Sequence, residues 1–209
     1  MLMAKVYPQQ SPSSSTASAS PSPYVTSTRE TFTLWMKSLV LHGNGCTVYN
    51  SSGEIVYRID NYHEKCSDEV YLMDLGGNVL FTIRRKKLRL FGCWEGYRCN
   101  TSRSSKEKPW FKVSKIREIL KGKSSYKVTV ECDQPQPRCY RIERLVSGKS
   151  EYRIVLDDSG ELVAEVKQKQ STSGVSLGND VLTMVVEPQV DHSLIMGIVT
   201  VYGLISNKM

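Results

Sequence analysis

The chain has 209 residues, a formal net charge of +7 and 40% apolar residues, enough for one domain with a core of its own. Its six cysteines include no C-x-x-C pair and its three histidines supply no zinc quartet, so the spacing argues against a metal site and for small buried thiols in a reducing compartment. No G-x-S-x-G elbow, G-x-x-x-x-G-K-[ST] phosphate loop or H-E-x-x-H pair occurs; no catalytic residue, metal ligand or cofactor is assigned, and a non-enzymatic protein is expected.

In chain order, residues 1–28 come first, with "SPSSSTASASPSP" at their centre and no Asp or Glu. Such a stretch buries too little apolar surface to offset chain entropy and reads as a disordered tail. Lys5 is its only charge before Arg29, which fits an Arg-rich transit peptide poorly; with no apolar signal segment, cytoplasm or nucleus is expected. Residues 29–206 are assigned to a single ordered domain.

From Thr31 onward, short β-rich segments alternate with turn residues: "TFTLWM", "CTVYN", "EIVYRID", "EVYLMDL", "NVLFTIRR", "KLRLFG", "WEGYRC", "WFKV", "YKVTVEC", "CYRIERL", "YRIVLD", "ELVAEVKQ" and "VLTMVVE". These amount to about a dozen strands. Asn50 to Gly53, Asp74 to Gly77 and Asp157 to Gly160 repeat one junction, an Asx residue whose side chain accepts backbone N–H groups and a Gly that closes the turn in the left-handed region. Adjacent hairpins with no long helical pattern between them predict an antiparallel all-β domain that closes into a barrel or splits into a sandwich. Val79, Phe81 and Ile83 share the inward face of their strand.

Charge is uneven. Residues 84–123 hold 14 Lys or Arg against Glu95, Glu107 and Glu118, a net +11 in a chain of net +7, which points to an anionic partner. Arg85 falls on the parity of Phe81 and Ile83 and cannot enter a core, so the strand is expected to end there. Arg84, Arg85, Lys86 and Lys87 would then form a hairpin tip at a barrel rim, with Arg89 just beyond, between Leu88 and Leu90 as they resume the next strand. A second stretch, "SRSSKEKPWFK", places Arg103, Lys106, Lys108 and Lys112 around Trp110. By parity Trp110 lies beside Lys112 and opposite Phe111, either as an outward platform for a membrane interface or a base, or as cover for a neighbouring strand. The cationic tip itself reads as a solvated rim that discourages edge pairing, as a site for anionic lipid, or as a nucleic-acid surface.

The last run, "DHSLIMGIVTVYGLI" at 191–205, is the most apolar. Leu194 to Ile205 would span about 18 Å as a helix, too short for a bilayer core of about 30 Å. Its β-branched residues suit a strand, whereas Asp191 and Ser193 can cap a helix and Pro188 breaks the preceding strand. Without a polar face at any period, the run must be surrounded by protein, and pattern alone leaves strand and helix open. His192 reads as a capping or packing residue rather than a catalytic one.

Together "CTVYNSSGEIVYRIDNY", "VYLMDLGGNVLFTIRRKKLRLFGCWEGYR", "KSSYKVTV" and "LTMVVEPQVDHSLIMGIVTVYGLI" resemble the plant LURP-one-related proteins, over about Thr31 to Ile205. The resemblance implies a fold similar to tubby C-terminal domains and phospholipid scramblases, a 12-strand antiparallel closed barrel around a central hydrophobic C-terminal helix. It also implies a signalling or regulatory protein, with phosphoinositide binding in tubby-like domains, membrane-tethered transcription regulation in the superfamily and plant defence in the family. Tubby's lipid-contacting residues do not map onto positions here, and the scramblase calcium-binding and palmitoylated motifs have no counterpart. The expectation is a monomer that binds anionic phospholipid headgroups reversibly, cytoplasmic and peripheral at the plasma membrane or nuclear. The competing readings are a nucleic-acid-binding nuclear regulator and a protein-interaction scaffold, with protein partners unidentified.

Overall fold

The computed structural model describes residues 22–37, 45–60, 68–86, 92–99, 108–117, 124–131, 137–145, 151–171 and 173–206. In chain order the elements are β1 (Glu30–Trp35), β2 (Gly45–Tyr49), β3 (Ile55–Asp60), β4 (Glu69–Asp74), β5 (Val79–Lys86), β6 (Cys93–Arg98), β7 (Phe111–Arg117), β8 (Ser124–Val130), β9 (Arg138–Arg144), β10 (Tyr152–Leu156), β11 (Leu162–Gln168), β12 (Val181–Val186) and α1 (His192–Ile205). Every strand pairs antiparallel with its neighbours in sequence, and β1 pairs with β12, from Glu30 opposite Val186 to Trp35 opposite Val181. The sheet therefore closes on itself and leaves no edge.

Alternating strand direction gives the barrel two distinct ends. At the proximal end lie the start of β1, the turns after β2, β4 and β10, and the corner from β12 into α1. At the distal end lie the last residues of β5, β7 and β9.

The apolar C-terminal run is a helix inside the barrel. Pro188 ends β12 and Gln189 turns the chain with φ of 61°, and its N–H donates to the Thr26 carbonyl. Asp191 Oδ1 then accepts the N–H groups of Ser193 (3.0 Å) and Leu194 (3.2 Å), capping α1. Ser193 to Gly203 are all buried, which explains the missing periodicity: a helix surrounded by strands needs no polar face. Its one mid-helix hydroxyl, Thr200, is satisfied by the Met196 carbonyl at 2.8 Å.

Three aromatic layers join helix to wall. At the proximal end His192 meets Tyr24, Phe32 and Tyr57. In the middle Phe111 packs against Phe81 (ring centroids 5.5 Å apart) and lies over two glycines, Gly96 of β6 and Gly197 of α1. Near the distal end Tyr202 packs on Tyr126 and Tyr152. Among the described residues no helix is long and apolar enough to cross a membrane. The wall's outward residues carry ion pairs, such as Arg141 and Lys127 with Asp157 and Arg153 with Glu143, the reverse of a lipid-facing apolar band.

All three repeated turns contain a left-handed glycine, Gly53, Gly77 and Gly160, and an adjoining register shift. Two use the Asx side chain: Asn50 Oδ1 accepts Ser52 and Glu54 N–H, and Asp74 Oδ1 accepts Asn78 N–H. The third differs, because its loop closes from Leu156 to Glu161, one residue earlier than expected. The Asp157 carboxylate is thereby freed to pair with Lys127 and Arg141 on the wall.

Two other expectations shift. β5 does not end at Arg85; it runs on through Lys86, with Arg84, Arg85 and Lys86 opposite Glu95, Trp94 and Cys93 of β6. Arg85 keeps its inward parity because by that point the strand has passed the core and its side chain is exposed. Within the compositional tail, residues 22–28 are docked on the barrel: Val25 bridges to Asp191 and the His192 N–H donates to the Tyr24 carbonyl. Residues 1–21 and the "KLRLFG" segment up to Phe91 lie outside the described residues, as do Cys66 and Cys132.

Candidate anion-binding surface

The two basic stretches do not form one patch. Arg84, Arg85 and Lys86 end β5 at the distal end, whereas Lys108 and Trp110 precede β7 at the proximal end, with Lys112 on the wall between. Lys87, Arg89, Arg103 and Lys106 lie outside the described residues.

Three of these cations belong to an outer band of alternating sign. Glu69 stands opposite Arg84, Arg84 opposite Glu95, and Glu95 opposite Lys112. Arg84 Nε reaches Glu69 Oε2 at 2.5 Å and its guanidinium lies 5.3 Å from the Tyr97 ring centroid. Lys86 Nζ is 3.2 Å from Glu95 Oε1, and the Tyr97 hydroxyl donates to Glu95 Oε2 at 2.7 Å. Burial alone raises the Glu95 pKa, but the Tyr97 and Lys86 hydrogen bonds, with the Lys86 and Lys112 charges, outweigh it and hold the carboxyl below its ordinary value. The band is close to self-neutralising, and cross-strand pairs of this kind stabilise the sheet modestly.

Arg85 differs from its neighbours. It is exposed, and among the described residues it has no ion pair. Lys115 shares that state at the same end: it follows Phe111 and Val113 on the inward parity of β7 and is exposed once past the core. Arg144 is also exposed at this end, on β9 two residues after the buried Ile142, and its charge is felt by Tyr126 and Tyr202. Among the described residues, the distal mouth thus carries three cations where inward parity outruns the core. Lys115 and Arg144 escape a search for basic runs, since each stands apart in the sequence; the signal that finds them is strand parity read against the number of core layers.

Trp110 is not an open platform. Its half-buried ring carries the Arg98 guanidinium at 4.0 Å from the centroid, and its indole Nε1 is buried without a hydrogen-bond partner among the described residues. Arg98 also pairs with Asp191 Oδ2 at 3.0 Å, so Trp110 braces the group that holds the helix cap.

His192 is a packing residue. Its Nδ1 lies 2.5 Å from the Tyr57 hydroxyl, and burial lowers its pKa against the opposing pull of Asp191 and Glu30. The unfolded chain takes up a proton below about pH 6.5 while the folded ring stays neutral, so the unfolded state binds more protons and stability falls as pH drops through that range. The melting temperature should fall between about pH 7.5 and 5.5, and fall less in His192→Gln; equal falls in both proteins would remove His192 as the cause. Of the described cysteines, Cys46 and Cys93 are buried, Cys139 is partly buried and Cys99 is exposed.

The closed twelve-strand barrel filled by its own C-terminal helix is the fold that the resemblance to tubby-like domains implies. The family model described as LURP-one-related matches residues 30–203, and the chain belongs to the LURP-one-related family. It is similar to Protein LURP-one-related 11 of Arabidopsis thaliana, 47% identical over 98% of this chain and 89% of that protein. It is also similar to Protein LURP-one-related 4 of the same plant, 49% identical over 97% of this chain and 87% of that one. An X-ray structure of an Arabidopsis thaliana protein superposes with a TM-score of 0.58 over 85% of this chain and 91% of that chain at 16% identity, a likeness of fold.

Proposed function

We propose that the domain is a non-enzymatic regulatory protein that reads anionic phospholipid headgroups reversibly, phosphoinositides among them, through its distal mouth. The observation that carries this reading is the set of cations there, Arg85 and Lys115 exposed, with Arg144 beside the last turn of α1. Because the apolar segment is buried inside the barrel, membrane contact through this surface would be peripheral. Each cation near an anionic surface contributes about 1 kcal/mol, which gives weak, salt-sensitive and reversible attachment. Signalling in plant defence from a membrane-tethered position is the setting this reading suggests.

The test is co-sedimentation with phosphatidylcholine, phosphatidylserine and phosphoinositide vesicles. The double variant Arg85→Ser/Lys115→Ser should bind phosphoinositide vesicles about 30-fold more weakly, the equivalent of about 2 kcal/mol. Arg84→Ser should lose less, because its charge is already matched by Glu69. Absence of wild-type pelleting on every vesicle, with the protein folded, would overturn the proposal. Displacement by duplex DNA but not by soluble inositol phosphate would turn the surface into a nucleic-acid site.

A further inference from the structure

A second feature at the opposite end is independent of the distal mouth. The segment 22–26 crosses the proximal end as a strap, held through the Tyr24 carbonyl to His192 N–H (2.9 Å), the Thr26 carbonyl to Gln189 N–H (2.8 Å) and the Val25 bridge to Asp191. Beside it lies a cavity of about 210 Å³ whose lining includes Ser22, Arg98, Cys99 and Ser193. Ser22 is half-buried and Pro23 follows it, exposed. Ser22–Pro23 thus has the dipeptide form that proline-directed kinases accept, and it stands at the mouth of a pocket that contains a guanidinium.

That guanidinium is built to receive an anion. The Arg98 guanidinium lies over the Trp110 ring, 4.0 Å from its centroid, and one Nη donates to Asp191. Its remaining N–H donors have no protein partner among the described residues. Asp191, the ion-pair partner of Arg98, is also engaged by the Ser193 and Leu194 amides and the Ser193 hydroxyl, and it takes only part of the fork. An Arg restrained on an aromatic ring, with donors to spare, is the arrangement that binds phosphate with two parallel hydrogen bonds.

We infer that Ser22 is a phosphorylation site for a proline-directed protein kinase, and that its phosphate seats in the proximal cavity on Arg98 and locks the strap over the helix N-terminus. The Ser22 hydroxyl oxygen attacks the γ-phosphorus of ATP; the bond to ADP breaks, and the hydroxyl proton leaves through the kinase's base. A kinase needs the strap extended, so it acts on the detached conformer. The added dianion then shifts the equilibrium to the docked one through charge-assisted contacts that unmodified Ser22 lacks.

The experiment uses the full chain with Ser11→Ala and Ser20→Ala, which leaves Ser22 as the one Ser-Pro acceptor, treated with a proline-directed kinase and ATP. Mass spectrometry should place one phosphate on Ser22, absent from Ser22→Ala. Amide exchange at residues 24–26 and at His192 should slow at least tenfold on phosphorylation. The phosphate's second pKa, about 6 when free, should drop by about one unit in a ³¹P titration. Arg98→Gln should still be phosphorylated yet lose both effects, and Arg98→Lys, which keeps the charge without the fork, should retain part of them. No phosphate at Ser22, or a phosphate that leaves exchange and its own titration unchanged, overturns the inference.

Discussion

Replacing Val199 with aspartate is expected to abolish cooperative folding of the domain. Val199 is fully buried near the middle of α1, within the barrel, and no cation reaches that depth among the described residues. An unpaired carboxylate there must stay charged at a desolvation cost of several kcal/mol or bind a proton with its pKa pushed far up. Either outcome consumes most of a typical domain stability of about 5–15 kcal/mol. The wall cannot relax away, because each strand is paired on both sides. The check is thermal and urea unfolding by circular dichroism: a cooperative melt within a few degrees of wild type would contradict a helix buried on all sides. The same experiment separates a core helix from a membrane anchor, since loss of an anchor would leave the barrel folded.

Gly96→Ala should destabilise the domain by about 3 kcal/mol, large for the addition of one methyl group. A Cβ built on Gly96 would sit 2.1 Å from Phe111 Cε1 and 2.3 Å from Cζ. The ring cannot retreat towards the helix, because a Cβ at Gly197 would already lie 3.1 Å from the same two atoms, and Phe81 packs against the ring edge-on. Phe111 is therefore gripped between two glycines on two elements. Phe111→Leu alone should also destabilise, through the space it leaves. Combined with Gly96→Ala it should restore part of the loss, so that the double variant is more stable than the sum of the singles requires. Strict additivity in urea denaturation would show that the ring and the glycine do not compete for one volume.

Gly96 and Gly197 illustrate where sequence reading stops. Strand alternation such as Phe81 and Ile83, the Asn50 and Asp74 turns and the Asp191 cap are all local, and each is legible because its partners lie within a few residues. What Gly96 makes room for is decided by the residue opposite it on the next strand, and the loop between the two carries no signal of that register. The apolar run around Val199 was ambiguous for a physical reason: complete burial removes the periodicity that tells a helix from a strand, and family resemblance resolved it. Charge fared similarly. The excess across 84–123 was plain, but its division between opposite ends depends on strand direction, and the quenching of Arg84 and Lys86 depends on Glu69 and Glu95 across the sheet. Arg85 is read wrongly from sequence because its inward parity suggests the end of the strand, when it marks only the depth at which the core ends.

Placing the last helix at the centre of the barrel constrains how the protein can be made. On the ribosome, all twelve strands are synthesised before α1, so the wall must wait without the element it is built around. The seam between β1 and β12 likewise joins residues separated by most of the chain. Productive folding therefore waits until α1 has been synthesised, and is slow for the chain's size. Until α1 has been made, the nascent strands expose apolar faces and unpaired edges, which leaves the chain prone to aggregation over that interval.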